Sequence, residues 1–114
     1  MPIQRIEAII RPERLEPLRT LLDQYGYPGM MVTEIQGHGK QHGTEQQWRG
    51  TRFQTYFLPK IKIELIVPQK SAKKIVDCIL DVCGNGQVGD GKIFLSEVKE
   101  VIRIRTKERG LKAL

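Results

Sequence analysis

The chain has 114 residues, enough for one domain with a single hydrophobic core and too few for two. Hydrophobic residues make up 39% and charged residues 28%, ordinary values for a globular protein, and no apolar run approaches the ~20 residues of a membrane span. Two cysteines exclude a disulfide framework, and a net charge of +6 favours anionic partners without choosing among nucleic acid, lipid, nucleotides and dicarboxylates.

In chain order, residues 2–10 read as a strand, with Ile6, Ala8 and Ile10 on one face and Glu7 and Ile9 on the other. Pro12 suits the first turn of a helix. Leu15, Leu18, Leu21, Leu22 and Tyr25 follow at helical spacing, and Gly26 stops it. MMVTEIQ at 30–36 reads as a second strand. GHGKQHGTEQQWRGTRFQTY, from 37 to about 56, has no hydrophobic periodicity, and a connection of roughly twenty residues is long where about four to six is usual. Such a loop is expected to be mobile and to meet partners.

Residues 58–67 give the cleanest alternation, with Ile61, Ile63, Leu65 and Val67 opposite Lys60, Lys62, Glu64 and Ile66. A second helix over 70–83 presents Ile75, Val76, Ile79, Leu80 and Cys83 as its inward stripe. Cys78 and Cys83 point to different sides of it and fit no metal-ligand spacing, so both read as small buried hydrophobes. A strand over 92–98 and a short extended piece over 101–106 complete the chain. The order β-α-β, long loop, β-α-β is a ferredoxin-like α+β fold, with helices on one sheet face. Ile9 and Ile66 leave the other face partly apolar, as if other subunits cover it.

Between the second helix and the last strand lies GNGQVGDGKIF, residues 84–94. Its G-x-x-x-x-G-K spacing imitates a phosphate-binding P-loop, yet Ile93 replaces the metal-binding hydroxyl and the loop leads into a strand instead of a helix. What survives is a set of glycines able to turn successive N–H groups toward one anion, with the charge of Lys92 beside them. In IRIRT (102–106), an extended backbone puts Arg103 and Arg105 on one face, anchored by Ile102 and Ile104 on the other, as a clamp for phosphate oxygens. Lys107 and Arg109 read as plain surface charge. His38 and His42, in a glycine-broken segment, lack helical zinc-ligand geometry.

IEAIIRPERLE (6–16), VTEIQGHGKQ (32–41), FLPKIKIE (57–64), VGDGKIF (88–94) and RIRTKERG (103–110) together resemble the PII nitrogen-regulatory signal proteins, over nearly the whole chain. The resemblance implies one PII-like domain over 1–114, assembled as a homotrimer that holds ATP or ADP between subunits and senses 2-oxoglutarate. It implies a T-loop at about 37–56, a phosphate-holding B-loop at about 84–92, and a C-loop at about 102–110 that reaches the phosphates of the neighbouring subunit. Carried over position by position, the nucleotide contacts are Gly37, Lys40, Gly89, Asp90, Gly91, Lys92, Arg103 and Arg105. Gln41 takes the place of the residue that helps coordinate Mg²⁺ with ATP and 2-oxoglutarate, and Lys60 that of the lysine pairing with the 2-oxoglutarate carboxylate.

The chain also departs from the pattern the resemblance implies. Phe53 stands where bacterial members carry a uridylylated Tyr, and Thr51 aligns with a phosphorylated Ser of cyanobacterial members, which makes it the candidate modification site. Gln87 replaces a frequent Lys, and Met31 a frequent Thr near the adenine. Trp48 and Arg49 have the character of interface anchors on a polar loop. Targets implied by the family are ammonium transporters, nitrogen-assimilation enzymes and transcriptional regulators. The protein is then expected in the cytoplasm without membrane insertion of its own, reaching a membrane through a transporter partner.

An RNA-recognition domain shares the strand–helix order, but its central strands need exposed aromatics where this chain offers Lys62, Glu64 and Ile66, so nucleic acid is not expected. No nucleophile with a base and no carboxylate pair suggests an enzyme. The alternative is a divergent PII-like nucleotide sensor with a different second effector or none.

Overall fold

The structure is a computed structural model that describes residues 2–27, 29–38, 45–48, 51–54 and 57–114. Of residues 37, 38, 45–48, 51–54 and 57 it describes the backbone alone. The first strand, β1 (Ile3–Ile10), buries Ile6, Ala8 and Ile10 on one face as its alternation requires. Pro12 opens a 3₁₀ turn, Pro12–Arg14, that leads into α1 (Leu15–Gln24). Leu18 and Leu22, one turn apart, are buried, and Gly26 ends the segment at φ 83°. Tyr25, expected on the apolar stripe, lies beyond the helix end and is half exposed, with the Lys74 ammonium 4.0 Å from its ring centroid.

β2 (Met31–His38) runs two residues past its expected end, because it pairs with β5 (Phe57–Pro68) as far as His38 opposite Phe57. The unstructured connection expected between them is corrected as well. It contains β3 (Glu45–Trp48) and β4 (Thr51–Gln54), paired antiparallel with Trp48 opposite Thr51. Polar strands held by backbone hydrogen bonds leave no apolar alternation to read.

α2 (Gln69–Cys83) follows Pro68 directly and buries Ala72, Ile75, Cys78, Ile79 and Cys83. Here the expected stripe needs correction: Leu80 is 57% exposed and Val76 only partly buried, while Cys78 takes an inward position. Both cysteines therefore belong to one core, and burial raises both thiol pKa values, that of Cys83 to about 11.

With β6 (Lys92–Val98), the main sheet has the order β2-β5-β1-β6, antiparallel throughout. This is the ferredoxin-like βαββαβ arrangement with α1 and α2 on one face. Across that face the register sets Ile6 opposite Leu65, Ala8 opposite Ile63 and Ile10 opposite Ile61, all buried.

The other face carries ion pairs at its centre. Glu7 lies 3.1 Å from Arg5 and 3.5 Å from Lys62, and Lys62 also lies 3.5 Å from Glu64. Ile9 and Ile66, on that face, are partly buried. After β6, the expected extended piece over 101–106 is not a strand. Its pairing reduces to one bridge, Ile102 with Arg109, across a turn in which Lys107 adopts φ 64°. A 3₁₀ turn, Gly110–Ala113, ends the chain.

Candidate functional site

Sheet register decides where the glycine segment lands. Lys92, the first residue of β6, pairs with Ile9, and Ile10 pairs with Ile61 of β5. Residues 84–91 therefore sit at the corner where β1 ends and β5 begins, beside Arg11 and Lys60. Gly86, Gly89 and Gly91 have φ of 80°, 97° and 100°, the left-handed region that other residues rarely adopt. Gly91 is constrained twice, since a Cβ there would overlap the carbonyl oxygen of Ile9.

Inside the loop, Asp90 is the centre of the hydrogen bonding. Its Oδ2 accepts from the N–H groups of Asn85 and Gly86, each at 2.9 Å. Its Oδ1 accepts from Arg11 Nη1 at 2.6 Å, while Arg11 Nη2 donates to the Val88 carbonyl at 2.8 Å. The Asn85 amide, and with it the Gly86 amide and the Arg11 guanidinium, holds the Asp90 carboxyl below the usual carboxylate range. Arg11 was not singled out from the sequence. Its signal there is weak, a cation directly after a strand, and the partner that gives it a role is 79 residues away.

Lys60 Nζ donates to the Gly89 carbonyl at 3.0 Å. Burial, and then the nearby Arg11 charge, lower the Lys60 pKa, while Glu13 and Asp90 act in the opposite direction. Gly37 pairs with Leu58, two residues from Lys60 along β5. One corner of the sheet thus gathers Gly37, Lys60, Gly89, Asp90, Gly91 and Lys92. Lys40, Gln41 and Arg49 lie outside the described residues, and Trp48, Thr51 and Phe53 are placed in the β3–β4 hairpin by their backbone alone.

Arg103 and Arg105 are elsewhere. β6 carries the chain about 20 Å from the glycine loop, at ~3.4 Å per residue, before the C-terminal segment begins. There Arg103 Nη2 donates to the Leu114 carbonyl at 2.8 Å, and Nη1 lies 3.5 Å from Glu108. Arg105 is exposed in the turn. The expectation that the two share a strand face anchored by buried isoleucines is corrected, because Ile104 is 94% exposed. At this end a cleft of about 500 Å³ is lined by Met31, Ile66, Val98, Val101, Ile102 and Leu114, among others.

Residues 3–108 match the family model described as Nitrogen regulatory protein P-II. The chain is 42% identical over 112 residues to Nitrogen regulatory protein P-II of Rhizobium meliloti, covering 98% of this chain and 100% of that one. It is 45% identical over 112 residues to Nitrogen regulatory protein P-II 2 of Methanothermobacter thermautotrophicus, covering 98% and 97%. Among solved structures it is similar to Bacillus subtilis GlnK, with TM-score 0.81, 29% identity and full coverage of both chains. It is also similar to Arabidopsis thaliana PII bound to citrate, with TM-score 0.77, 32% identity and coverage of 97% and 88%.

The chain belongs to the P-II family of nitrogen regulatory proteins. It has a signalling role in nitrogen regulation, and as a member of a family that acts on target proteins it is a regulator, not an enzyme. Among the described residues, no helix is long and apolar enough to cross a membrane.

Proposed function

We propose that the protein senses ATP or ADP together with 2-oxoglutarate and controls target proteins through the segment at 37–56. The observation that carries this reading is the bond from Lys60 to Gly89. It joins the cation proposed for the 2-oxoglutarate carboxylate to the loop proposed for the nucleotide phosphates, so occupancy of one site bears on the geometry of the other. In this reading Gly37, Lys40, Gly89, Asp90, Gly91 and Lys92 form one side of the nucleotide site. Arg103 and Arg105 form the other side, supplied by the neighbouring subunit of a homotrimer. Their separation along β6 supports two sources, since one chain does not bring loop and arginines together.

The apolar cleft beside Met31 then suits the base. Citrate bound to the Arabidopsis relative supports a polycarboxylate-binding site in this chain too. Gln41 is the residue proposed to help hold Mg²⁺, an ion that would be held mainly by phosphates and waters and would supply charge neutralisation at the nucleotide.

Trp48 and Arg49 are the proposed target contacts and Thr51 the proposed modification site. The targets are an ammonium transporter, a nitrogen-assimilation enzyme or a transcriptional regulator, met in the cytoplasm or at a transporter.

The test is calorimetric titration of 2-oxoglutarate with and without saturating Mg²⁺–ATP. Binding that requires Mg²⁺–ATP and disappears in Lys60→Ala and Gln41→Ala supports the reading. ATP binding without any 2-oxoglutarate binding assigns a different second effector or none.

A further inference from the structure

The hydrogen bonds of the glycine loop raise a question of charge. A site for a polyphosphate gains from positive potential, yet this loop keeps a carboxylate at its centre, with both oxygens engaged by N–H donors. Electrostatics alone makes Asp90 a liability beside an anion, because like charges at close range repel. Its geometry explains its presence. Asp90 Oδ2 draws the Asn85 and Gly86 amides together at the start of the loop, and Oδ1 ties the end of the loop to Arg11. Arg11 in turn fixes the Val88 carbonyl, and Lys60 fixes that of Gly89.

Three glycines with positive φ give the segment great freedom when unfolded, and an unbraced loop would have to lose that freedom each time a ligand bound. The brace is already made. The Asp90 and Arg11 side chains are 21% and 14% exposed, so water competes only partly for the charged hydrogen bond between them.

We propose that Asp90 is a positioning residue: its carboxylate is a resident internal anion which, with Arg11, holds the glycine loop in its binding shape. Asp90 then borders the nucleotide site by its backbone, and the carboxylate itself, engaged within the loop, does not meet the ligand. This rests on the nucleotide reading above for the identity of that ligand, but not for the brace.

Two measurements on the intact protein separate them. Hydrogen exchange at the Asn85 and Gly86 amides, without ligand, reports the brace. Titration with ATP and with inorganic tripolyphosphate reports the site. Asp90→Asn is expected to speed exchange at both amides while the global unfolding midpoint stays in place. It should also weaken ATP and tripolyphosphate binding by about tenfold or more, although it removes a negative charge from the neighbourhood of both. Arg11→Gln should act in the same direction, and the double variant should bind no worse than the weaker single one, because both remove the same brace.

Unchanged or tighter ATP binding in Asp90→Asn overturns the proposal, as does additive loss in the double variant. Should the wild type bind neither ATP nor tripolyphosphate, the nucleotide reading fails. The exchange data then decide alone: protection that Asp90→Asn removes upholds the brace, and unprotected wild-type amides overturn it.

Discussion

Gly91 combines two demands that no other residue type meets, a φ of 100° and a backbone that passes against the Ile9 carbonyl. Gly91→Ala is expected to cost about 3 kcal/mol or more, since neither the overlap nor the backbone strain relaxes without moving β1. Gly86 has a similar φ of 80° but open space around its Cβ position, so Gly86→Ala should cost only about 1–2 kcal/mol. Denaturant unfolding of the two variants checks the difference, and equal losses would show that strain alone governs the loop.

Cys83 gives a pH-dependent expectation. Its thiol is raised from an ordinary 9.0 to about 11 by desolvation, so between those values the unfolded chain has lost a proton that the folded chain keeps. Stability from this group is complete below pH 9 and falls as pH rises toward 11. Alkylation of Cys83 at pH 8 should be much slower in the folded protein than in denaturant, with thiol mass labelling as the readout.

Among the elements, α2 shows how far periodicity reaches. Ile75, Ile79 and Cys83 lie inward as their spacing indicates, but the helix is rotated so that Cys78 replaces Leu80 in the core. Ile75→Ala should therefore cost about 2–5 kcal/mol, whereas Leu80→Gln should stay within about 0.5 kcal/mol, both read by chemical unfolding. A large loss in Leu80→Gln would mean that another surface covers that leucine.

β1 and β5 were legible because each alternates apolar residues buried on one face with more exposed positions on the other. The hairpin of β3 and β4 was not, because backbone pairing of polar segments leaves no such trace. The opposite error arose over 101–106, where isoleucine and arginine alternate as in a strand. Alternation makes a strand only where a neighbouring strand accepts its hydrogen bonds, and here the segment finds a single bridge to Arg109.

At the scale of the molecule, the glycine loop and Arg103 lie at opposite ends of β6. If the nucleotide site joins the loop of one subunit to the arginines of the next, two defective proteins should complement each other. Lys92→Ala and Arg103→Ala homo-oligomers should each bind ATP weakly. After unfolding and refolding together, tight sites should reappear where an intact loop meets intact arginines. No recovery, measured by titration of the mixed oligomer against each parent, would place both halves within one chain.

The sequence by itself determined the two helices and the strands β1 and β5, because burial leaves a period of 3.6 or 2 in the choice of residues. It also marked the glycine segment as a backbone that binds or turns, since φ values near +100° demand glycine. Only the tertiary structure brought Arg11 across 79 residues to Asp90 and Lys60 across 29 to Gly89. No local pattern records those contacts. They depend on which strand lies beside β1, and that is settled when the whole sheet forms around its core.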